Sequence, residues 1–324
     1  MSLNPIRIEL PEILNMQSVN SWLIKDPVPT LIDCGELTEG SWKALNKQLG
    51  ENGLQVSDIE KIIITHAHVD HMGMANRVVE HSNAKVWMSE YCYEWGANVN
   101  TLWETRSALM RNTFAQLVSK ESPMSNFFVN GKSFFNSMLK MWEPIPEENT
   151  IRFESKDGID IGGQHWQSIY TPGHSATQTV FFQPESRQMF SADMLLKLTP
   201  TPVIELDPVD PSKRQKGLPM LIDSFHAMRE LNISVAYPGH YETLENLDQL
   251  IETQLRRIDM RLEETKSLIQ SGKNRYSDLI TAMYADRISF PAIVMLIGYL
   301  DVLEERGLIT KSMGEEGIYL FRTI

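Results

Sequence analysis

Cysteine is nearly missing from the chain: 324 residues carry Cys34 and Cys92 and no others. One pair cannot form the disulfide framework of a small secreted scaffold, and such sparse use suits a reducing compartment. Long apolar runs are missing too. No stretch approaches the roughly 18 consecutive apolar residues of a membrane-spanning helix. The start, Met1-Ser-Leu-Asn-Pro-Ile-Arg-Ile-Glu-Leu10, lacks the basic segment and apolar core of a secretory leader. A cytoplasmic location without membrane association is the expectation. Positive charge is also in deficit, with 30 Lys and Arg against 42 Asp and Glu, a net charge of −12. A surface with that balance repels phosphate backbones, so nucleic acid is not the expected partner. What remains is an ordinary globular composition, 42% hydrophobic and 22% charged, in a chain long enough to bury a large core.

The chemistry concentrates in Lys61-Ile-Ile-Ile-Thr-His-Ala-His-Val-Asp-His-Met-Gly73. Ile62, Ile63, Ile64 and Thr65 read as a short strand buried on both faces, which leaves no polar role before the strand ends. Four potential metal ligands follow at once: His66, His68, Asp70 and His71. Imidazole and carboxylate are donors that suit zinc and similar ions. His66 and His68 lie two apart, so in extended backbone they point the same way and can chelate one ion. Asp70 and His71 lie past the bend and can reach a second. Met74, Ala75, Val78 and Val79 then recur at helical spacing. The stretch reads as strand, ligand loop, helix.

Other strand ends carry similar groups. Residues 6–10, 18–24 and 30–35 read as strands and 42–49 as a helix, which suggests a layered α/β domain. Asp33 closes the third of these strands, where it could orient a ligand histidine or fix the turn at Gly35. The strand 165–170 runs into Thr171-Pro-Gly-His174, the segment 188–193 ends on Asp193, and 233–240 ends in Pro-Gly-His240. Open α/β folds collect their sites at the carboxyl ends of strands, so these groups are expected to converge. His81, His165 and His226 are assigned ordinary surface or packing roles.

Between residues 91 and 148 the pattern turns helical and rich in aromatics and methionines, including Tyr91, Trp95, Trp103, Phe114, Phe127, Phe128, Phe134, Phe135, Met138, Met141 and Trp142. The expectation is a cap of two or three helices inserted between strands. Such a stripe packs a helical face, or else lines an apolar substrate pocket or a homodimer contact. Beyond Glu245, helices at 246–270, 277–285 and 291–306 and a hairpin at 307–321 look like a winged-helix module. Asp301, Glu304, Glu305, Glu315 and Glu316 outnumber Arg306, Lys311 and Arg322 there, so it is read as a wall of the site rather than a DNA-binding surface. The expected division is a catalytic domain over 1–245, with the cap at 91–148, and a C-terminal domain over 246–324.

Together, His66-x-His68-x-Asp70-His71, Thr-Pro-Gly-His174, Ser-Ala-Asp193 and Pro-Gly-His240 resemble the metallo-β-lactamase superfamily, over roughly Val19 to Tyr241. Asn20-Ser-Trp-Leu-Ile and Leu31-Ile-Asp-Cys-Gly look like that family's first strands and turn. The resemblance implies an α/β fold, an αβ/βα four-layer sandwich of two mixed β-sheets. It implies that His66, His68 and His174 hold one metal, that Asp70, His71 and His240 hold another, and that Asp193 bridges them. The pattern is that of the branch similar to glyoxalase II. True β-lactamases of this fold usually have cysteine where Asp193 stands, and flavodiiron proteins have glutamate where His68 stands.

The expected cofactors are two divalent metal ions, zinc before iron or manganese. Such a pair holds a hydroxide between ions about 3.5–4 Å apart, with the pKa of water lowered from 15.7 to roughly 7. Asp70 would orient the nucleophile or receive its proton. The expected partner is a small-molecule thioester, ester or lactone, with the aromatic cap favouring an acyl chain. One rival is a phosphodiesterase or ribonuclease on the same metals, which needs a basic groove; Lys213, Arg214 and Lys216 are its best linear candidate. Another is an oxidoreductase similar to persulfide dioxygenases, with a single iron. A non-enzymatic regulator would leave the ligands without a purpose.

Overall fold

Two β-sheets packed face to face position everything else in the chain. The computed structural model describes residues 2–12, 18–119, 139–208 and 210–324. The first sheet runs β1 (Ile6–Pro11), β2 (Ser18–Ile24), β3 (Thr30–Ile32), β4 (Lys61–Ile64), β5 (Lys85–Ser89) and β6 (Thr150–Phe153), in chain order. Its first two pairings are antiparallel and the rest are parallel. The second contains β7 (Ile159–Ile161), β8 (Gln164–Tyr170), β9 (Thr179–Gln183), β10 (Gln188–Ala192) and β11 (Val235–Pro238), ordered β11-β10-β9-β8-β7. Only β10 and β11 pair in parallel there, so both sheets are mixed.

Alternation along each strand builds the layers. Ile63 faces inward, in a core shared with Trp22, Ile32, Phe153, Trp166, Phe181, Phe190 and Tyr237 from both sheets. Its neighbours Ile62 and Ile64 face outward, against Leu45 and Leu49 of α1 (Glu39–Glu51) and Val78 and Val79 of α3 (Ala75–Glu80). The short α2 (Val69–Met72) lies between them in sequence. In the same way Phe181 points inward while Val180 and Phe182 join a third core outside the second sheet. A period of two over strands buried on both faces gives helix, sheet, sheet and helix, the expected four layers.

The helix α4 (Tyr93–Ala115) spans two of these cores. Trp95, Val99 and Trp103 pack into the outer core of the first sheet, and Met110 and Phe114 into that of the second. The aromatic stripe therefore serves packing along this helix. Phe127, Phe128, Phe134, Phe135 and Met138 lie outside the described residues, as does the rest of the cap between 120 and 138.

The remaining helices are α5 (Gly217–Arg229), α6 (Leu247–Gln270), α7 (Tyr276–Tyr284) and α8 (Phe290–Glu305), followed by the hairpin β12 (Ile309–Met313) and β13 (Tyr319–Thr323). Their apolar residues belong to one continuous core with Val180, Phe182 and Met189 of the second sheet. Ser289 caps α8 by accepting from the Ala292 amide, and Pro291 occupies the first turn, where its missing N–H costs nothing. This helix is buried nearly all round, as its composition requires.

Asp301 is the buried charge on α8, and it receives Arg214 in a two-pronged contact at 2.8 and 2.6 Å. Removing one partner of a buried pair strands the other. Asp301→Ala should therefore cost about 3–5 kcal/mol in urea unfolding, and Arg214→Met combined with Asp301→Leu much less. A loss under about 1 kcal/mol for Asp301→Ala would show that the pair is not effectively buried.

Candidate metal centre

Each candidate ligand sits where a strand ends. His66 and His68 follow β4, and Asp70 and His71 occupy α2. His174 lies on the turn after β8, Asp193 directly follows β10, and His240 lies just beyond β11. The fold brings all seven together. His66, His68 and His174 form one group whose ligand atoms lie within 4.8 Å of one another, and Asp70, His71 and His240 form a second. Within the first, His66 Nε2 and His174 Nε2 each lie 3.0 Å from His68 Nδ1. Within the second, Asp70 Oδ2 lies 3.4 Å from His240 Nε2 and 3.6 Å from His71 Nε2.

Asp193 stands between the groups. Its Oδ2 is 3.4 Å from His174 Nε2 and 3.3 Å from His240 Nε2, while Oδ1 is 3.5 Å from His71 Nε2. Gly239 makes room for it, since a Cβ there would collide with the Asp193 carboxylate and the His71 ring.

The far nitrogen of every ring is tied down. His71 Nδ1 donates to Asp33 Oδ2 at 2.8 Å, His174 Nδ1 to the Thr201 carbonyl at 2.9 Å, and His240 Nδ1 to the Ser18 carbonyl at 2.8 Å. His68 Nε2 donates to Glu205 Oε1 at 3.0 Å. His66 Nδ1 donates at 3.0 Å to the Thr65 hydroxyl, which donates in turn to Asp33 Oδ2 at 2.8 Å. Asp33 thus steadies two rings at once. It sits at φ 59°, a left-handed conformation that a short polar side chain tolerates. Partners of this kind fix the tautomer and direct the other nitrogen's lone pair into the site.

Lone pairs and carboxylate oxygens converging in a buried space fit a cation pair. Among the described residues, His71 Nε2 and Asp193 Oδ1 are buried without a hydrogen-bond partner. The donor set is imidazole and carboxylate throughout, as zinc, iron or manganese would accept.

The charge balance of the protein alone divides the histidines. Burial drives His66 well below its ordinary value and His174 down to about 4. Burial also opposes charge on His71 and His240, but the Asp193 and Asp70 carboxylates outweigh it and raise both. Asp70 and Asp193 feel the converse: burial pushes them up, and His71 and His240 hold them below the usual carboxylate range.

Sequence reasoning did not single out Glu205, Arg106, Thr65 or Glu12. Glu205 is 137 positions from His68, the ring it supports, and no local motif marks it. Burial raises its carboxyl, yet Arg106 and then His68 bring it down to about 2. Glu12, just past β1, is buried 3.8 Å from His240 Nδ1, and burial with the Asp70 charge pushes it up to about 8. The basic cluster is occupied: Lys213 meets Asp210 at 2.8 Å, Arg214 meets Asp301 at 2.6 Å, and Lys216 meets Glu305 at 3.1 Å. Among the described residues, His81, His165 and His226 join neither ligand group.

Residues 15–240 match the metallo-beta-lactamase superfamily. The chain is 25% identical over 331 residues to the probable metallo-hydrolase YqjP of Bacillus subtilis, covering 98% of each chain. It is 24% identical over 138 residues to an atrochrysone carboxyl ACP thioesterase of Aspergillus fumigatus, 42% of this chain and 38% of that one. A solved metallo-beta-lactamase family protein from Thermus thermophilus aligns with a TM-score of 0.80 at 21% identity, covering 99% of this chain and 98% of the other.

The packing at Gly239 supplies a test. Gly239→Ala should keep the far-UV circular dichroism of the parent and weaken divalent-metal uptake at least about 10-fold, because Asp193 and His71 must move. Parent-like uptake would contradict the placement of those two groups.

Proposed function

The chain belongs to the metallo-beta-lactamase superfamily, and on that premise we propose that it hydrolyses a small thioester, ester or lactone with two divalent ions, zinc first. The observation that carries this reading is the set of five rings, each tied at its far nitrogen, facing Asp193 from two sides. His66, His68 and His174 would hold one ion; Asp70, His71 and His240 would hold the other; Asp193 would touch both. Ions so held polarise a carbonyl and lower the pKa of water to roughly 7.

The protein's own groups then have definite tasks. Asp70, held below the usual carboxylate range, stays anionic at neutral pH and can orient the attacking water. A thiolate or an acidic alkoxide leaves with little acid assistance, which favours activated acyl compounds. The thioesterase among the relatives supports the same substrate class. Phosphodiesters fit less well, because Lys213, Arg214 and Lys216 are each engaged by a carboxylate. A single-iron oxidoreductase would leave the second ligand group without use. The C-terminal helices, anchored through Asp301, fit a wall of the site better than a DNA-binding wing. Among the described residues no helix is long and apolar enough to cross a membrane, which accords with a cytoplasmic hydrolase.

Metal counting separates the roles. Asp193→Ala should lose both ions, and Asp70→Ala should lose one; equal loss in the two variants would contradict the place given to Asp193. Hydrolysis of phosphodiesters, but not of thioesters or lactones, by the metal-loaded protein would overturn the substrate class.

Acidity supplies another check. His71 and His240 are raised in the protein alone, so protons compete with an ion for these nitrogens near neutrality. Affinity should rise with pH and fall on acidification, with net proton release on binding. Calorimetric zinc titrations at about pH 6 and about pH 8, in buffers of different ionisation enthalpy, read both signs. Tighter binding at the lower pH would contradict the ligand assignment.

A further inference from the structure

The two ligand groups lean only in part on the same region of the molecule: His66 shares the Asp33 support with His71 through Thr65, and the other rings divide. His71 and His240 are held from behind by Asp33, just past β3, and by the Ser18 carbonyl at the start of β2. Both supports belong to the first sheet. His68 and His174 are held by Glu205 and the Thr201 carbonyl, on the connection between β10 and α5. A connection is a softer support than a strand unless something clamps it.

The clamp is Arg106, from the middle of α4. Its Nε donates to the Ile204 carbonyl at 3.1 Å, and its guanidinium lies 3.3 Å from Glu205 Oε1, the oxygen that receives His68. Glu205 Oε2 accepts the Ser175 hydroxyl at 2.9 Å and the Ala176 amide, in the turn that carries His174. Glu205 is 3% exposed and Arg106 8%, so this is a buried ion pair in which neither charge has solvent to fall back on. On its other side the connection is tied down by the Gln215 amide donating to the Glu205 carbonyl at 3.0 Å.

We propose that Glu205 is the positioning residue of the His66–His68–His174 group, and that Arg106 makes the seating of α4 a condition for tight metal binding at that group alone. The proposal rests on the two-ion reading above and adds an inequality between the ions. One is held by the sheet. The other is held by the sheet at His66 alone, and at His68 and His174 by a loop that the cap helix clamps.

Cobalt(II) titration of the full chain tests this, with binding followed by the visible absorption of the bound ion and by competition with a chelator. The parent should take two ions. Glu205→Gln and Arg106→Met should each weaken one ion by about 10–100-fold and leave the other within about 3-fold. The double variant should weaken that ion by less than the product of the two single effects, because the two residues share the contact between them. In an Asp70→Ala background, where the other group is already impaired, Glu205→Gln should leave no tight site. Equal weakening of both ions, or none in a folded variant, overturns the proposal. If Arg106→Met does not fold, Arg106→Lys decides: it loses the Ile204 contact but keeps the charge. Selective weakening of about 3–10-fold supports the proposal, and parent-like or unselective binding overturns it. A parent that binds fewer than two ions is a separate result, which removes the two-ion reading itself.

Discussion

Imidazole rings crowded together in a buried space hold their directions only if each is gripped from behind. Here every grip is a hydrogen bond to the nitrogen that faces away from the site, and the partners are a carboxylate, a hydroxyl or a backbone carbonyl. Asp33 serves two rings, since it takes the Thr65 amide and hydroxyl and the His71 ring together. The remaining constraints follow. Near nitrogens become acceptors, two carboxylates gather among them, and the assembly becomes a place for cations rather than for protons alone.

The sheets supply the rigidity that this arrangement demands. Strands buried on both faces cannot shift register without moving apolar residues out of two cores, so the points where they end are fixed in space. Ile62, Ile63 and Ile64 feed alternate cores and deliver His66 one residue after Thr65. At the far side, β10 and β11 run in parallel and bring Asp193 and His240 to the same end of the second sheet. Ala192 takes a positive φ of 43° as the chain leaves β10, a conformation unusual for alanine and placed beside Asp193. The less regular parts of the chain are then free to set what the site accepts.

How much of this was legible in the sequence depended on distance along the chain. The ligand loop could be read because its donors are crowded within a few residues after an apolar strand, and short-range spacing is preserved by any fold. His174, Asp193 and His240 could be placed because each follows its own strand. Asp33 stood between two readings, and its carboxylate goes to His71 and Thr65. Arg106 and Glu205 were invisible because their meaning is a contact between segments 98 positions apart at Ile204 and further still from His68. The basic triplet looked available in the sequence and is engaged in the fold, because acidic partners reach it from α8 and from its own turn.

If one chain holds two ions in two unequal groups sharing Asp193, anomalous diffraction from crystals of the zinc-loaded protein should show two peaks. One should lie among His66, His68 and His174 and one among Asp70, His71 and His240, with Asp193 in contact with both. A single peak, or peaks that leave either group of histidines untouched, would contradict that reading.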